Sequence, residues 1–323
     1  MKAIVYNNYG SPDVLKYEEI EKPNAGDNEV LIKVRAASVN PADWHFLRGT
    51  PYLVRIVAGL RKPKVLRLGF DVAGQVEAVG RNVTQFKPGD QVFGSCRGAF
   101  AEYACASESK LAMKPDNMTF EQAASAPIAA FTALQALRDK GQIQPGHKVL
   151  INGAAGGVGT FAVQIAKSFG ADVTGVCSTR NVDMVRSIGA DRVIDYTQED
   201  FTKSGQRYDI ILDCVGNHSL SAIRGVLTPK GIYVGVGGPS DPWMIGSLAH
   251  AITALVLTWF TNHRLVMVLA KVNKDDLTIM RELMESRKVT PVLDRRYSLS
   301  EVPEAIRYLE EGHARGKVVI SLG

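Results

Sequence analysis

The sequence predicts an α/β protein in two parts, a β-rich N-terminal domain over 1–122 and a doubly wound parallel sheet over 123–290. Three observations predict this division. The first 120 residues break into short apolar or alternating runs, "KAIVYN", "EVLIKVRAASV", "VAGQVEAVG" and "GDQVFG", separated by Gly, Pro, Asn and Asp clusters. From about Gln122 the texture changes to short apolar strands alternating with helical stretches, "KVLING", "GTFAVQIAKSFG", "DVTGVC", "ADRVIDY", "YDIILDCVG" and "GIYVGVGG". That alternation implies parallel strands joined by crossover helices. The last segment, from 291 to 323, reads as a strand, a helix and a final strand. Its helix "SEVPEAIRYL" has Ser300 as its expected cap and Pro303 in its first turn.

A chain of 323 residues suits two domains, and its 46% hydrophobic and 22% charged content is ordinary for a globular protein. Cys96, Cys105, Cys177 and Cys214 form no Cys-x-x-Cys pair and no zinc-type spacing with His, so reduced thiols and a cytoplasmic location are expected. The N-terminus has no apolar core of a secretory signal. Nothing in the chain resembles a nucleic-acid-binding module. The run "RIVAGLRKPKVLR" (55–67) carries Arg55, Arg61, Lys62, Lys64 and Arg67 without an acid, which equals the whole net charge of +5. It reads either as a cationic lip that attracts an anionic ligand or as a solvated loop. The stretch 243–260 contains no formal charge. A membrane span there would put pieces of one sheet on opposite sides of a bilayer. A buried or subunit-interface helix, followed by a strand near "HRLVMVLA", is the expectation, with peripheral membrane contact as the alternative.

The most informative stretch is "NGAAGGVG" (152–159). The spacing Ala154-x-Gly156-x-x-Gly159 follows the strand "KVLIN" and opens the helix "TFAVQIAKSFG", the context of a dinucleotide-binding turn. Gly156 lets backbone approach a pyrophosphate, Gly159 lets helix and strand pack closely, and the helix N-terminus offers unpaired N–H donors. Ala155, Gly157 and Val158 complete the expected cofactor contact. About 20 residues on, where an NAD site places an acid for the ribose 2′-OH, the strand "DVTGVC" runs into Ser178, Thr179 and Arg180. Two hydroxyls and a guanidinium suit a 2′-phosphate, so NADPH is the expected cofactor.

The ordered set "ASVNPADWHFLRG", "GFDVAGQVEAVG", "FKPGDQVFG", "GAFAEY", "AASAPIAAFTALQAL", "NGAAGGVGT", "SIGADRVIDY" and "GKVVI" resembles the medium-chain dehydrogenase/reductase superfamily. The resemblance runs nearly end to end and is strongest to the zinc-free quinone oxidoreductase and enone reductase branch. It implies a GroES-like catalytic domain from 1–122 completed by 291–323, an inserted Rossmann domain, a cofactor in the cleft between them, and a homodimer. It also implies that the places of the catalytic zinc ligands are taken by Asn40, Phe70 and Ile128, so no metal is expected. Asp43 is expected to be a buried acceptor. Thr132 and Tyr196 are carried over as cofactor contacts, and Val215 and Gly237 fall on loops at the carboxyl ends of later strands, where this fold binds ligands. Lys317 matches the family's terminal "GK", or serves only as a strand-entry lysine.

Hydride delivered to an enone or quinone creates an enolate-like oxygen that needs preorganised donors. Asn40 is the first candidate donor and His45 the second, standing where several relatives carry a Tyr; a turn-forming Asn and an ordinary half-buried His are the plainer readings. The expected function is NADPH-dependent, metal-independent reduction of quinones or activated C=C bonds in a small electrophilic substrate. The alternatives are a metal-free NADP-dependent carbonyl or alcohol oxidoreductase with His45 as proton donor, and a non-catalytic NADPH-binding scaffold.

Overall fold

A computed structural model of the chain describes residues 1–236 and 264–323. Two compact units are present, Met1–Phe131 with Val272–Gly323, and Thr132–Lys271. Residues 123–131 and 272–290, expected with the parallel sheet, therefore belong to the first unit. Packing explains the difference. The helix Phe120–Ser125 lies against four strands of the first unit's sheet, and the helix Lys274–Glu285 packs on a fifth.

The first unit is built around β3 (Glu29–Val39), whose run EVLIKVRAASV is buried along most of its length. Before it, β1 (Lys2–Val5) and β2 (Lys16–Glu19) form a separate antiparallel pair. After it come α1 (Pro41–Arg48), α2 (Val54–Ala58), β4 (Asp71–Val79), β5 (Gln91–Ser95), β6 (Tyr103–Ser107), β7 (Leu111–Met113) and α3 (Phe120–Ser125). Thr119 and Gln122 close a capping box at the start of α3. α4 (Pro127–Gln135) then carries the chain into the second unit.

The second unit runs β8 (Lys148–Asn152), α5 (Gly157–Ser168), β9 (Asp172–Cys177), α6 (Val182–Ser187), β10 (Arg192–Asp195), β11 (Tyr208–Asp213), α7 (Leu220–Gly225), β12 (Leu227–Gly235) and β13 (Arg264–Met267). Its strand order is β10-β9-β8-β11-β12-β13, and every pairing is parallel. Strand order reverses between β8 and β11, where a doubly wound sheet opens its ligand crevice. Leu150, Val176, Ile194, Ile211 and Ile223 supply the core on one face. Apolar burial on both faces is what the near-continuous hydrophobic strands of a parallel sheet require.

The chain returns to the first unit through α8 (Lys274–Glu285), β14 (Leu293–Ser298), α9 (Val302–Glu310) and β15 (Lys317–Ser321). The first unit's main sheet is ordered β14-β15-β3-β4-β5-β7, with β6 also paired to β3. Its core gathers Ile32, Leu47, Phe100, Leu111, Ile306 and Val318. Ser300 does not cap the last helix. Ser298 and Glu301 form the capping box of a 3-10 turn at 299–301, and α9 continues from it with Pro303 in its first turn. The strand expected near "HRLVMVLA" is β13; the apolar stretch 243–260 lies outside the described residues, as does Gly237. Among the described residues no helix is long and apolar enough to cross a membrane.

Among the described residues of the second unit the tightest backbone approach is at Gly159, where an added Cβ would sit 2.1 Å from the Gly153 carbonyl oxygen and 2.8 Å from Ala154 Cα. Both neighbours are backbone and cannot swing aside. Gly159→Ala is therefore expected to cost about 1–3 kcal/mol or more by overpacking, read as a lowered midpoint in chemical denaturation.

Candidate functional site

The glycine turn is fixed from below. Gly153 and Ala154 donate their N–H groups to the Val176 carbonyl on β9 at 3.2 and 2.9 Å, and Gly156 donates to the Gly153 carbonyl at 3.0 Å. Gly153 takes φ +84°, a conformation open to glycine. Gly156 is the N-cap of α5, followed by Gly157, Val158 and Gly159 in its first turn, whose N–H groups have no acceptor within the helix. A Cβ on Gly156 would meet only the Gly153 carbonyl, at 3.4 Å. The space beside Gly156 is thus open where Gly159 is closed. Ala155 is buried, while Gly156, Gly157 and Val158 are half-buried. A pyrophosphate fits this arrangement, an open backbone cradle at the N-terminus of a 12-residue helix.

β9 ends beside the turn and delivers Ser178, Thr179 and Arg180. Ser178 is half-buried, with its hydroxyl accepting from Asn181 Nδ2 at 3.1 Å, and Thr179 and Arg180 are exposed. Just past the end of the neighbouring strand β10, Tyr196 is 60% exposed and its N–H donates to the Cys177 carbonyl at 3.0 Å. Sequence reasoning missed one acid here. Asp195 pairs in register with Cys177, and hydrogen bonds from Thr179 and then Thr197 hold its carboxyl below the usual range. The Thr179 hydroxyl also lies 3.0 Å from that of Thr197. The guanidinium of Arg180 and the Ser178 hydroxyl are the groups best suited to a 2′-phosphate.

A second polar cluster went unread in the sequence. Asn152 and Asp213 end β8 and β11 in register with each other, at the reversal of strand order. Asp213 is buried, and its Oδ1 accepts from Asn152 Nδ2 at 2.9 Å, Val215 N at 2.9 Å and Gly216 N at 2.8 Å. Its Oδ2 accepts from the Tyr233 hydroxyl at 3.1 Å. The carboxylate thereby shapes the loop that carries Val215, whose exposed side chain lies against Gly153. The signal for it was a polar residue closing each of two apolar runs, "KVLIN" and "IILD". Thr132 is buried in α4, apart from this group in sequence.

The first unit holds a different network. Asn40 is 1% exposed; its Nδ2 donates to Asp71 Oδ2 at 2.8 Å and to the Ser38 carbonyl at 3.4 Å, and its Oδ1 accepts from Lys317 Nζ at 2.6 Å. The side-chain amide is fully committed, so Asn40 does not present the free donor expected of it. Asp71 also accepts from Ser38 Oγ at 2.9 Å and Ile128 N at 3.1 Å, and Lys317 Nζ reaches the Val39 carbonyl at 3.2 Å. Burial pushes the Asp71 carboxyl up and the Lys317 ammonium down, and their mutual attraction at 3.8 Å opposes both shifts. Asp43 is the expected buried acceptor, taking Asn40 N at 2.8 Å and Gly69 N at 2.9 Å; burial pushes it up to about 7.

His45 lies in the last turn of α1, half-buried and stacked on Trp44 with ring centroids 3.7 Å apart. Its Nδ1 is 2.8 Å from the Thr50 carbonyl oxygen. A carbonyl only accepts, so Nδ1 carries the proton and the neutral ring offers a lone pair at Nε2. Burial pushes the imidazole below its ordinary value, which favours that neutral form. His45 is therefore an acceptor near neutral pH, and the expectation of a donor is revised.

The positions implied for zinc ligands do not fit the ion. Asn40 is committed to Lys317 and Asp71, Phe70 packs on Phe46 at 5.2 Å between ring centroids, and Ile128 is aliphatic. Among the described residues no group of three or more His, Cys, Asp and Glu could hold a metal ion. All four cysteines are free thiols, and burial pushes Cys177 up to about 11 and Cys214 up to about 12.

Two outcomes follow for the first unit. Lys317→Met is expected to destabilise by about 3–5 kcal/mol, because it leaves a buried carboxylate without its counter-charge. The Lys317→Met/Asp71→Asn double variant should fall short of the summed losses by about 1–3 kcal/mol, read in a denaturation cycle. Asp43 is raised in the folded state, so its contribution is full below its unfolded value near pH 4 and is lost as pH rises through about 7. The stability margin of wild type over Asp43→Asn should therefore shrink across that window, by at most about 1.4 kcal/mol per pH unit.

The family model described as "Alcohol dehydrogenase GroES-like domain" matches residues 26–116, and that described as "Zinc-binding dehydrogenase" matches 188–320. A chloroplastic quinone oxidoreductase of Triphysaria versicolor is 35% identical, with 99% of this chain and 98% of the relative covered. A chloroplastic NADPH-dependent alkenal/one oxidoreductase of Arabidopsis thaliana is 35% identical over 99% of this chain and 79% of its own length. The solved quinone oxidoreductase of Coxiella burnetii is 32% identical and superposes with a TM-score of 0.88 over 100% of this chain and 99% of that one. End-to-end likeness in sequence, fold and domain composition has one reading: the chain belongs to the medium-chain dehydrogenase/reductase superfamily, in its zinc-free quinone oxidoreductase branch.

Proposed function

We propose that this protein is an NADPH-dependent, metal-independent reductase of quinones or of C=C bonds activated by a carbonyl. Membership of the family makes the chain an NAD(P)H-dependent oxidoreductase. The observation that carries the finer reading is the open cradle at Gly156, with Arg180 rather than an acid at the end of β9. The names borne by the Triphysaria and Arabidopsis relatives, quinone oxidoreductase and alkenal/one oxidoreductase, support the substrate class.

The residues present fit the cofactor as follows. The turn Ala155–Gly159 would hold the pyrophosphate through backbone N–H groups, Ser178 and Arg180 the 2′-phosphate, and Tyr196 and Val215 would flank the adenosine side and the turn. When bound, reduced nicotinamide supplies the hydride. The chain's own part is to position and to leave the right group unprotonated. Asp213 fixes the Val215 loop against the glycine turn, and the Asn40–Asp71–Lys317 network fixes the end of β3 from which α1 and His45 depart. Neutral His45 offers Nε2 as an acceptor, so the proton that completes the reduced product comes from solvent. That weighs against direct carbonyl reduction with His45 as proton donor.

The deciding experiment gives the purified protein NADPH and an α,β-unsaturated aldehyde in the presence of a metal chelator. A saturated aldehyde is the expected product. An allylic alcohol would transfer the function to carbonyl reduction, and no NADPH oxidation across an acceptor panel would leave a binding scaffold. Arg180→Glu should lower the preference for NADPH over NADH in kcat/KM by tens-fold, since a charge-assisted phosphate contact is worth about 1.5–3 kcal/mol. An unchanged preference would remove Arg180 as the reader of the phosphate.

A further inference from the structure

More than half of the large hydrophobic side chains exposed among the described residues lie between 52 and 66. Leu60 is 73% exposed, Val57 65%, Ile56 63% and Leu53 53%. Arg61, Lys62 and Lys64 are exposed in the same stretch, and no Asp or Glu stands between Asp43 and Asp71. The platform beneath is fixed. Arg55 is not part of the charged surface: its guanidinium lies 4.7 Å from the Tyr9 ring and 4.9 Å from the Tyr52 ring, and its Nε donates to the Gly49 carbonyl at 2.9 Å. The Tyr9 hydroxyl donates to the Gly59 carbonyl at 2.6 Å. Gly59 takes φ +125°, and a Cβ there would meet the Lys62 carbonyl oxygen at 2.0 Å, so the turn that presents the three cations depends on that glycine.

We propose that residues 53–66 dock the protein on an anionic lipid bilayer, with the α2 aliphatics entering the headgroup boundary and Arg61, Lys62 and Lys64 facing the phosphates. Charge complementarity carries the choice of occupant. Aliphatic side chains that large raise the free energy of a surface left in water, and contiguous apolar patches mark interaction sites. Interleaved cations and aliphatics are the pattern of interfacial membrane contact. A second copy of the chain meeting this face about a two-fold axis would bring Arg61, Lys62 and Lys64 against their own equivalents with no acid to separate them. An anionic bilayer satisfies both halves of the surface at once. The inference stands on the exposed surface of the first unit and does not depend on the reaction the protein catalyses.

The test is co-sedimentation of the full chain with phosphatidylcholine vesicles that contain or lack phosphatidylglycerol, at low and high salt. Binding to the anionic vesicles alone, weakened by salt, is expected. The variant R61Q/K62Q/K64Q should lower the partition by about a hundredfold, since each cation near an anionic surface is worth about fivefold. The variant I56S/L60S, with the cations intact, should lower it by at least about tenfold. Both substitute exposed side chains, and unchanged thermal melting shows that each remains folded. Equal binding to neutral vesicles, no binding, or anionic binding that neither variant reduces overturns the proposal. So does a vesicle-free oligomer that I56S/L60S dissociates, because a second copy would then cover the face.

Discussion

A carboxylate moved out of water loses its hydration, and only hydrogen bonds or an opposite charge can replace it. Each unit is organised around one such group at the end of a strand. Asp71 gathers Ser38, Asn40, the Ile128 N–H and Lys317; Asp213 gathers Asn152, Tyr233 and two successive backbone N–H groups. In both, the donors come from different elements, so solvating the charge also fixes where those elements end. The start of α1 and the loop beside the glycine turn inherit their geometry from these two groups.

Committing side chains this way restricts what they can do. Asn40 serves Asp71 with one end of its amide and Lys317 with the other, and nothing remains for a substrate oxygen. His45 is held in one tautomer by a backbone carbonyl. Asn40 is therefore a structural bridge, and His45 keeps only Nε2 uncommitted, as an acceptor.

Much of the fold was legible because it rests on local signals. Strand and helix periods, the turn at Gly156 and Gly159, and the absence of an acid after "DVTGVC" are written in neighbouring residues. What escaped depends on residues remote in sequence or on backbone. Asn40 meets Asp71 31 residues away and Lys317 277 residues away, so its role as a bridge has no local signature. The acceptor that fixes His45 is a carbonyl oxygen, which every residue owns. The sequence changes texture at about Gln122, yet packing on β3 and β4 assigns the whole helix Phe120–Ser125 to the first unit. The cap at Ser298 escaped because a 3-10 turn precedes α9 and moves the capping box upstream of Ser300.

The placement of β15 bears on how the protein is made. β4 lies along one edge of β3; on the other, β6 pairs with residues 29–33 and β15 with residues 36–39. The second unit lies wholly between those partners in the chain, and a domain that emerges intact folds during synthesis. The half-edge of β3 leading into Asn40 is thus covered only by residues 318–321, which follow the whole second unit in the chain, and without them it would present unpaired backbone groups. Lys317 opens β15 and reaches Asn40, so the strand that closes the sheet also completes the polar network.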